Sequence, residues 1–426
     1  MKFKFPITAL AVIILLCSCR PASSHNFAEP ITQDNTSTNI DVEPINGLPE
    51  DFILGCDISS IISLENSGVK FYNYSGEEQD LLKTLAENGV NTIRIRIWND
   101  PYNSSGKGYG GGNNDLQTAI SIGQRATRYG LNCMIDFHYS DFWADPAKQM
   151  TPKAWKDMSF AEKSDALYQY TYDSLKKLLD AGVNISIVQI GNETTGGLAG
   201  ETSWDRITEL MNSGSKAVRD ISEEFDTSVK IALHFTNPEK SGAYKYYAGT
   251  LFEASVDYDI FASSYYPYWH GSIDNLTAVL SDVANTYNKE VMVAECSYAY
   301  TYSNGDEFNN TINVYSDCDL PYKISEQGQA DLISDLAVAI SSIDKGIGIC
   351  YWEPAWIPVP ADGYDAQLKL WEEYGSGWAS SYAASYDPDD AGQYYGGASY
   401  DNQALFDFDG HPLDSLSTFR LLRTSE

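Results

Sequence analysis

The stretch "KKLLDAGVNISIVQIGNE", residues 176–193, decides the fold. Gly182 supplies the left-handed stop that ends a helix. An alternating apolar run follows, Ile185 and Ile187 through Ile190, with the period of a strand. The run then ends in Asn192-Glu193, a carboxylate at the tip of a strand built for a core. The same helix–glycine–strand grammar recurs. "GEEQDLLKTLAENG" (76–89) stops at Gly89 before "NTIRIRIW" (91–98), and "NNDLQTAISIGQRATRYG" (113–130) stops at Gly130 before "LNCMIDFH" (131–138). Further strands read at 52–57, 185–190, 229–234, 258–266, 290–295 and 346–353.

Eight strand–helix units within one stretch of chain predict an α/β protein, a (β/α)8 TIM barrel, as a single catalytic domain over residues 47–426. An open doubly wound sheet is the alternative, but it normally carries a glycine-rich first turn, and the sequence shows none. In a barrel the site forms at the C-terminal ends of the strands. A second run, "EVMVAECSY" (290–298), also ends an apolar strand in a carboxylate, Glu295. Glu193 on the fourth strand and Glu295 on the seventh are therefore expected to face one crevice.

Two carboxyl groups across a scissile bond are what glycoside hydrolysis requires. One donates a proton to the leaving oxygen, and the other attacks the anomeric carbon or activates water. Other polar and aromatic residues collect at the same rim. Arg94, Arg96 and Trp98 share one face of the second strand, and an arginine beside a carboxylate favours its ionised form. His138, Tyr139, Asp141 and Trp143 follow the third strand, and His234 ends the fifth. Tyr265, Tyr266, Trp269 and His270 follow the sixth, and Trp352 and Glu353 end the eighth. Glu353, between Trp352 and Pro354, is read as orienting its loop. The chain holds 30 Tyr and 9 Trp, a proportion that suits both a core and a groove that stacks sugar rings.

Of the 426 residues, 43% are hydrophobic and 20% charged, with a net charge of −31. That balance argues against nucleic acid and anionic lipid as partners, which need clustered Lys and Arg. The N-terminus reads "MKFKFPITALAVIILLCSC". A basic start and the apolar run Ile7–Leu16, too short to span a bilayer, predict a signal peptide over residues 1–18. "LCSC" matches a bacterial lipoprotein box with Cys19 as the lipidated residue. Polar residues 19–46 are expected as a flexible tether. The expected location is exported and anchored by lipid to a bacterial, outer membrane, at the cell surface. Cys56, Cys133, Cys296, Cys318 and Cys350 remain, and they read as buried thiols behaving as small apolar residues.

The blocks "RIRIWNDP", "GGNNDLQTAI", "DFHYSDFWADPAKQ", "IGNE", "SYYPYWHG", "YWEPAW", "GSGWASSYA" and "DNQALFDFDG", in this order, resemble glycoside hydrolase family 53, the endo-β-1,4-galactanases. The resemblance spans residues 50–420. It implies a retaining hydrolase of galactan and arabinogalactan side chains of pectin, with Glu193 as acid/base and Glu295 as nucleophile. It implies no cofactor for catalysis, and a monomer is expected. Expected substrate contacts are Arg96, His138, Asp141, Trp143, Asn192, His234, Tyr266, Trp269, Trp352 and Trp378. Bacterial members often bind calcium between loops seven and eight. The matching segment, "SNGDEFNNT", offers Asn304, Asp306 and Asn310 as structural Ca2+ ligands, with Asp387, Asp389 and Asp390 as partners from loop eight. It departs from the family in Phe308, where a histidine is often found, and Thr194-Thr195-Gly196-Gly197 replaces the usual residues after the acid/base. A glycan-binding barrel without activity, or a related mannanase or glucanase, are the alternative functions. Retention of both glutamates favours an enzyme.

Overall fold

The structure is a computed structural model and describes residues 28–423. Eight parallel strands close into one barrel in sequence order: β1 (Ile53–Asp57), β2 (Thr92–Ile97), β3 (Asn132–Phe137), β4 (Ile185–Ile190), β5 (Lys230–Phe235), β6 (Ile260–Ser264), β7 (Glu290–Cys296) and β8 (Gly346–Trp352). β1 pairs with β8 through Ile53–Gly348 to Asp57–Trp352, which closes the seam. Eight helices follow the strands in turn: α1 (Leu81–Glu87), α2 (Leu116–Arg128), α3 (Phe160–Asp180), α4 (Trp204–Phe225), α5 (Ala243–Glu253), α6 (Ile273–Tyr287), α7 (Glu326–Ser341) and α8 (Tyr364–Tyr374). The predicted barrel and its eight strand positions are those observed. Gly89, Gly130 and Gly182 take φ of 90°, 73° and 79°, the left-handed stops that turn each helix back toward the next strand.

The strands are buried on both faces, as parallel barrels require. Outward residues such as Ile93, Ile95 and Ile135 pack under the helices. Inward residues Ile53, Met134, Ile187, Ala232, Ile260, Met292 and Cys350 fill the lower barrel. Above them the interior turns polar, with Asp57, Arg94, Arg96, Asp136, Gln189, His234 and Ser264 all buried. A plug of apolar side chains below and a charged layer above give the barrel one chemically active end. Cys56, Cys133, Cys296 and Cys350 are buried free thiols, as expected, and Cys318 is half-buried.

One feature of β7 is decisive. Ser263 pairs with Val293 but Ser264 pairs with Glu295, so Ala294 is an extra residue in the ladder. Strict alternation from Met292 and Ala294, both inside the barrel, would send Glu295 outward. The bulge re-aims it inward.

The tether expected over residues 19–46 is corrected from residue 28 onward. Its earlier part lies outside the described residues, as do the signal peptide and Cys19. Residues 28–46 lie along the barrel as a strap. Glu29 N donates to Arg128 O at 2.8 Å, Asp34 N to Glu87 O at 2.9 Å and Ile45 N to Leu422 O at 2.9 Å. Arg128 and Glu87 end helices, whose last carbonyls lack partners within the helix. Ile31, Val42 and Ile45 pack against the core. A few well-spaced apolar residues and unsatisfied helix ends therefore hold a segment whose composition reads as unstructured.

Candidate active site

Glu193 follows β4 with φ of 46°, a left-handed conformation that is uncommon and costly for a residue with a side chain. Its neighbours over-determine it: Thr194 N donates to His234 O at 2.8 Å, tying the end of β4 to β5. Ser264 Oγ lies 2.7 Å from Glu193 Oε1. Glu295 Oε1 lies 2.9 Å from Arg94 Nη1, and Tyr266 OH donates to Glu295 Oε2 at 2.9 Å.

Arg94 is wholly buried and is the hub of the charged layer. Its guanidinium also meets Asp57 and Asp136, each at 2.9 Å, and Nη2 donates to Asn192 Oδ1 at 2.8 Å. Arg96 Nη1 donates to Glu353 Oε1 at 2.5 Å and Nη2 to Gly111 O at 2.8 Å. Two guanidinium charges thus stand among the carboxyls of Asp57, Asp136, Glu193, Glu295 and Glu353. Buried charge without a partner is expensive, so the less well paired carboxyls hold protons more tightly. Burial, then the charge of Glu295, pushes Glu193 up to about 8. Burial also raises Glu295, but Arg94 and the Tyr266 hydroxyl oppose it. Of the two, Glu193 keeps the proton and Glu295 carries the charge. Burial pushes Glu353 up to about 7 against the pull of Arg96, and Ser60 Oγ also donates to it at 2.6 Å. Glu353 is fully enclosed and positions Arg96, whereas the sequence alone predicts that it orients its own loop.

The cleft over this layer is lined by Arg96, His138, Trp143, Asn192, Tyr266, Trp269, Trp352 and Trp378, all expected from sequence. Trp143 Nε1 donates to Trp378 O at 2.9 Å, which ties loop three to loop eight. The Arg96 guanidinium sits 4.4 Å from the Trp143 ring centroid, a cation–π contact that holds the ring. Arg96 therefore braces an aromatic wall as well as lining it.

Two expected contacts are corrected. Asp141 is buried away from the cleft and accepts from Asp100 N at 3.0 Å and Lys153 N at 2.6 Å, so it folds loop three. His234 is fully buried behind Glu193. It reaches Asn192 Oδ1 and Ser264 Oγ, each at 2.9 Å, and does not line the cleft.

Sequence reasoning missed Lys148, Trp356 and Tyr400, which also line the cleft. Lys148 and Trp356 lie inside the quoted blocks. Tyr400, the residue before "DNQALFDFDG", packs edge-on against Trp352 with centroids 4.9 Å apart. Only the return of loop eight over the barrel brings it there.

The expected calcium segment brings Asp306 and Asn310 beside Asp401, and Asn310 Oδ1 is buried with no hydrogen-bond partner. Asp306 Oδ1 and Oδ2 accept from Phe308 N at 2.7 Å and Ala398 N at 3.1 Å. Asn310 Nδ2 donates to Asp401 Oδ1 at 2.6 Å, while Asn304 is exposed. Phe308, at the centre of the alternating pattern, brings no oxygen and packs against the core. Asp387 and Asp390 are both held by Lys148 Nζ, at 2.6 and 2.5 Å, so one ammonium is shared between them. Calcium needs six to eight oxygens, and the side chains gathered around Asp306, Asn310 and Asp401 supply part of such a set. Among the described residues no cluster of three or more His, Cys, Asp or Glu has the arrangement of a metal site.

Comparison with known proteins gives a consistent result. The sequence model of Glycosyl hydrolase family 53 matches residues 53–419. An endo-beta-1,4-galactanase of Bacillus subtilis (strain 168) is 54% identical over 414 residues, 97% of this chain and 95% of that protein. An arabinogalactan endo-beta-1,4-galactanase of Thermothelomyces thermophilus is 36% identical over 313 residues, 71% of this chain and 89% of that protein. Among solved structures, the Ignisphaera aggregans GH53 catalytic domain superposes with a TM-score of 0.80 at 37% identity, covering 90% of this chain and 100% of that one.

Proposed function

The chain belongs to glycosyl hydrolase family 53, and from that premise we propose that it is an endo-acting galactanase that cuts β-1,4-galactosidic bonds within galactan and arabinogalactan side chains of pectin, with retention of configuration. The observation that carries this reading is 54% identity over 97% of the chain to a protein of that activity. The arrangement of Glu193 and Glu295 supports it chemically.

In the first step Glu295 attacks the anomeric carbon while Glu193 gives its proton to the leaving oxygen. The bond to the aglycone breaks and a galactosyl–Glu295 ester forms. Arg94 and Tyr266 keep Glu295 ionised and aimed before attack. In the second step Glu193, now a carboxylate, takes a proton from water, whose oxygen displaces Glu295. Trp352, Trp143 and Trp269 offer rings on which sugar faces pack. No step uses a metal or cofactor. Incubation with galactan, mannan and cellulose, with sizing of products, tests the reading. Galactan alone is expected to give a ladder of internal-cleavage products; release of only monomer, or cleavage of mannan or cellulose instead, would overturn it.

The proposal extends to location. The basic start, the short apolar run and the "LCSC" box support export and a lipid on Cys19. The described part of the strap, from residue 28, meets the C-terminal end of α2, which leads into the start of β3. That point lies on the face of the barrel opposite the cleft. Full-length protein is expected to fractionate with membranes and Cys19→Ala to release it; equal fractionation of the two would remove the anchor.

A further inference from the structure

We infer that His234 and Ser264 form a positioning pair that keeps Glu193 in its acid form before each attack, His234 acting through the Ser264 hydroxyl. The inference rests on the reading of Glu193 as the acid and adds two residues to it.

The argument is a count of donors and acceptors. Asn192 Nδ2 donates to Ala144 O at 2.9 Å, and Arg94 Nη2 donates to Asn192 Oδ1. These bonds fix which end of the amide faces His234. Its Oδ1 accepts only, so His234 Nδ1, at 2.9 Å, carries a hydrogen. Gln189 Nε2 at 3.2 Å and the Glu193 N–H at 3.3 Å also approach Nδ1, but the two Gln189 hydrogens have shorter acceptors in Asp136 Oδ1 at 2.6 Å and Gly191 O at 3.0 Å, and the Glu193 contact is longer than that to Asn192. Burial and then Arg94 hold His234 well below the usual histidine range, so the ring is neutral. A neutral ring protonated at Nδ1 leaves Nε2 as an acceptor, and Ser264 Oγ lies 2.9 Å from it. The single hydroxyl hydrogen of Ser264 therefore points at His234. Toward Glu193 Oε1, at 2.7 Å, Ser264 can then only accept. The partner that satisfies an accepting oxygen is a protonated carboxyl. Once Glu193 has given its proton to the leaving oxygen, the Ser264 hydrogen turns to the new carboxylate. His234 Nε2 is then unpaired until water returns a proton to Glu193.

The other groups around the pair do not supply this switch. Glu193 faces Glu295 from β7, Asp145 from loop three, Tyr244 from α5, and Tyr266 and Tyr400 from loops six and eight. His234 faces Arg94, Asp136 and His138 from β2 and β3. Among the described residues only the Ser264 side chain is bonded to both the Glu193 carboxyl and the His234 ring.

The test is direct titration of the Glu193 carboxyl by 13C NMR in protein labelled at glutamate, its signal identified by its loss in Glu193→Gln. In His234→Leu the Ser264 hydrogen has no acceptor but Glu193, so the carboxylate is favoured and the midpoint should fall by about one pH unit. In Ser264→Ala the protonated carboxyl loses the oxygen that accepts its hydrogen, and the midpoint should fall by a similar amount, about one unit. The double variant should titrate as Ser264→Ala does, because His234 acts only through the hydroxyl. A His234→Leu midpoint that is unchanged or raised would overturn the inference. Should His234→Leu not fold, a Ser264→Ala midpoint that is unmoved or raised overturns it equally. The readout needs no turnover, so inactivity of the wild type on galactan would fail the galactanase reading and leave this result standing by itself.

Discussion

Glu295→Ala is expected to abolish galactan hydrolysis, by about 10,000-fold or more, while the barrel stays folded. No covalent ester can form without the carboxylate. The fold should survive for electrostatic reasons. Arg94 keeps Asp57 and Asp136 at 2.9 Å each, so no buried cation is left unpaired. Burial also raises Glu295, so its ionised form costs stability at neutral pH and its removal relieves that cost. The truncation opens space beside the anomeric carbon on the side opposite the leaving group. Azide should enter it and attack, with Glu193 still protonating the leaving oxygen, to give the α-galactosyl azide. Kinetics with and without azide, and the configuration of the product, check this. Retention of more than a few per cent of activity without azide would show that another group is the nucleophile.

Glu193→Gln should separate the two halves of the reaction. Galactan has a poor leaving group and needs the proton, so its cleavage should fall by about 100- to 10,000-fold. A dinitrophenyl β-galactoside has a leaving group that departs without help, so its first step should be nearly unaffected. The second step still lacks its base, and the glycosyl–enzyme should accumulate as a burst. Equal loss on both substrates would count against the acid role. The pH dependence has a definite sign. Burial and Glu295 push the Glu193 carboxyl up to about 8, so wild-type kcat/KM on galactan should decline as pH rises through about 8 and the acid loses its proton. The same shift is a stability statement. A carboxyl whose folded value is raised costs nothing below its unfolded value of about 4.3 and progressively destabilises as pH climbs toward the folded value. The glutamine variant does not titrate. It should therefore melt above the wild type at neutral and alkaline pH, with the gap closing in acid; a constant gap would argue that the group is not shifted.

Loop eight shows why parts of the site were hard to read. Trp352 was legible because it ends a strand, where the barrel rule gives each tip a direction. Tyr400 had no such rule, since it follows a long loop whose path depends on what it packs against. Asp387 and Asp390 looked like cation ligands by residue type. Whether a carboxylate meets a metal or a lysine depends on which donor arrives, and Lys148 comes from a loop some 240 positions away in sequence.

The sequence by itself determined the eight strands, their order and the end that carries chemistry. Those features are local: alternation of apolar residues, glycine stops and polar tips act within a few residues of one another. It also placed Glu193 and Glu295 at the tips of β4 and β7. Which way those side chains point was decided only by tertiary structure. Glu295 faces inward because Ala294 bulges against β6, and a bulge reflects the register of two strands rather than the pattern of one. Asp141 and His234 look like Asp and His at a rim in any local reading. They became scaffold because backbone amides of loop three and the Asn192 and Ser264 side chains claimed them first. Residues 28–46 were polar enough to read as a tether, yet helix ends with unsatisfied carbonyls drew them onto the barrel. In each case the outcome depended on competition among partners distant in sequence for a limited set of donors and acceptors, and that competition exists only once the chain has folded.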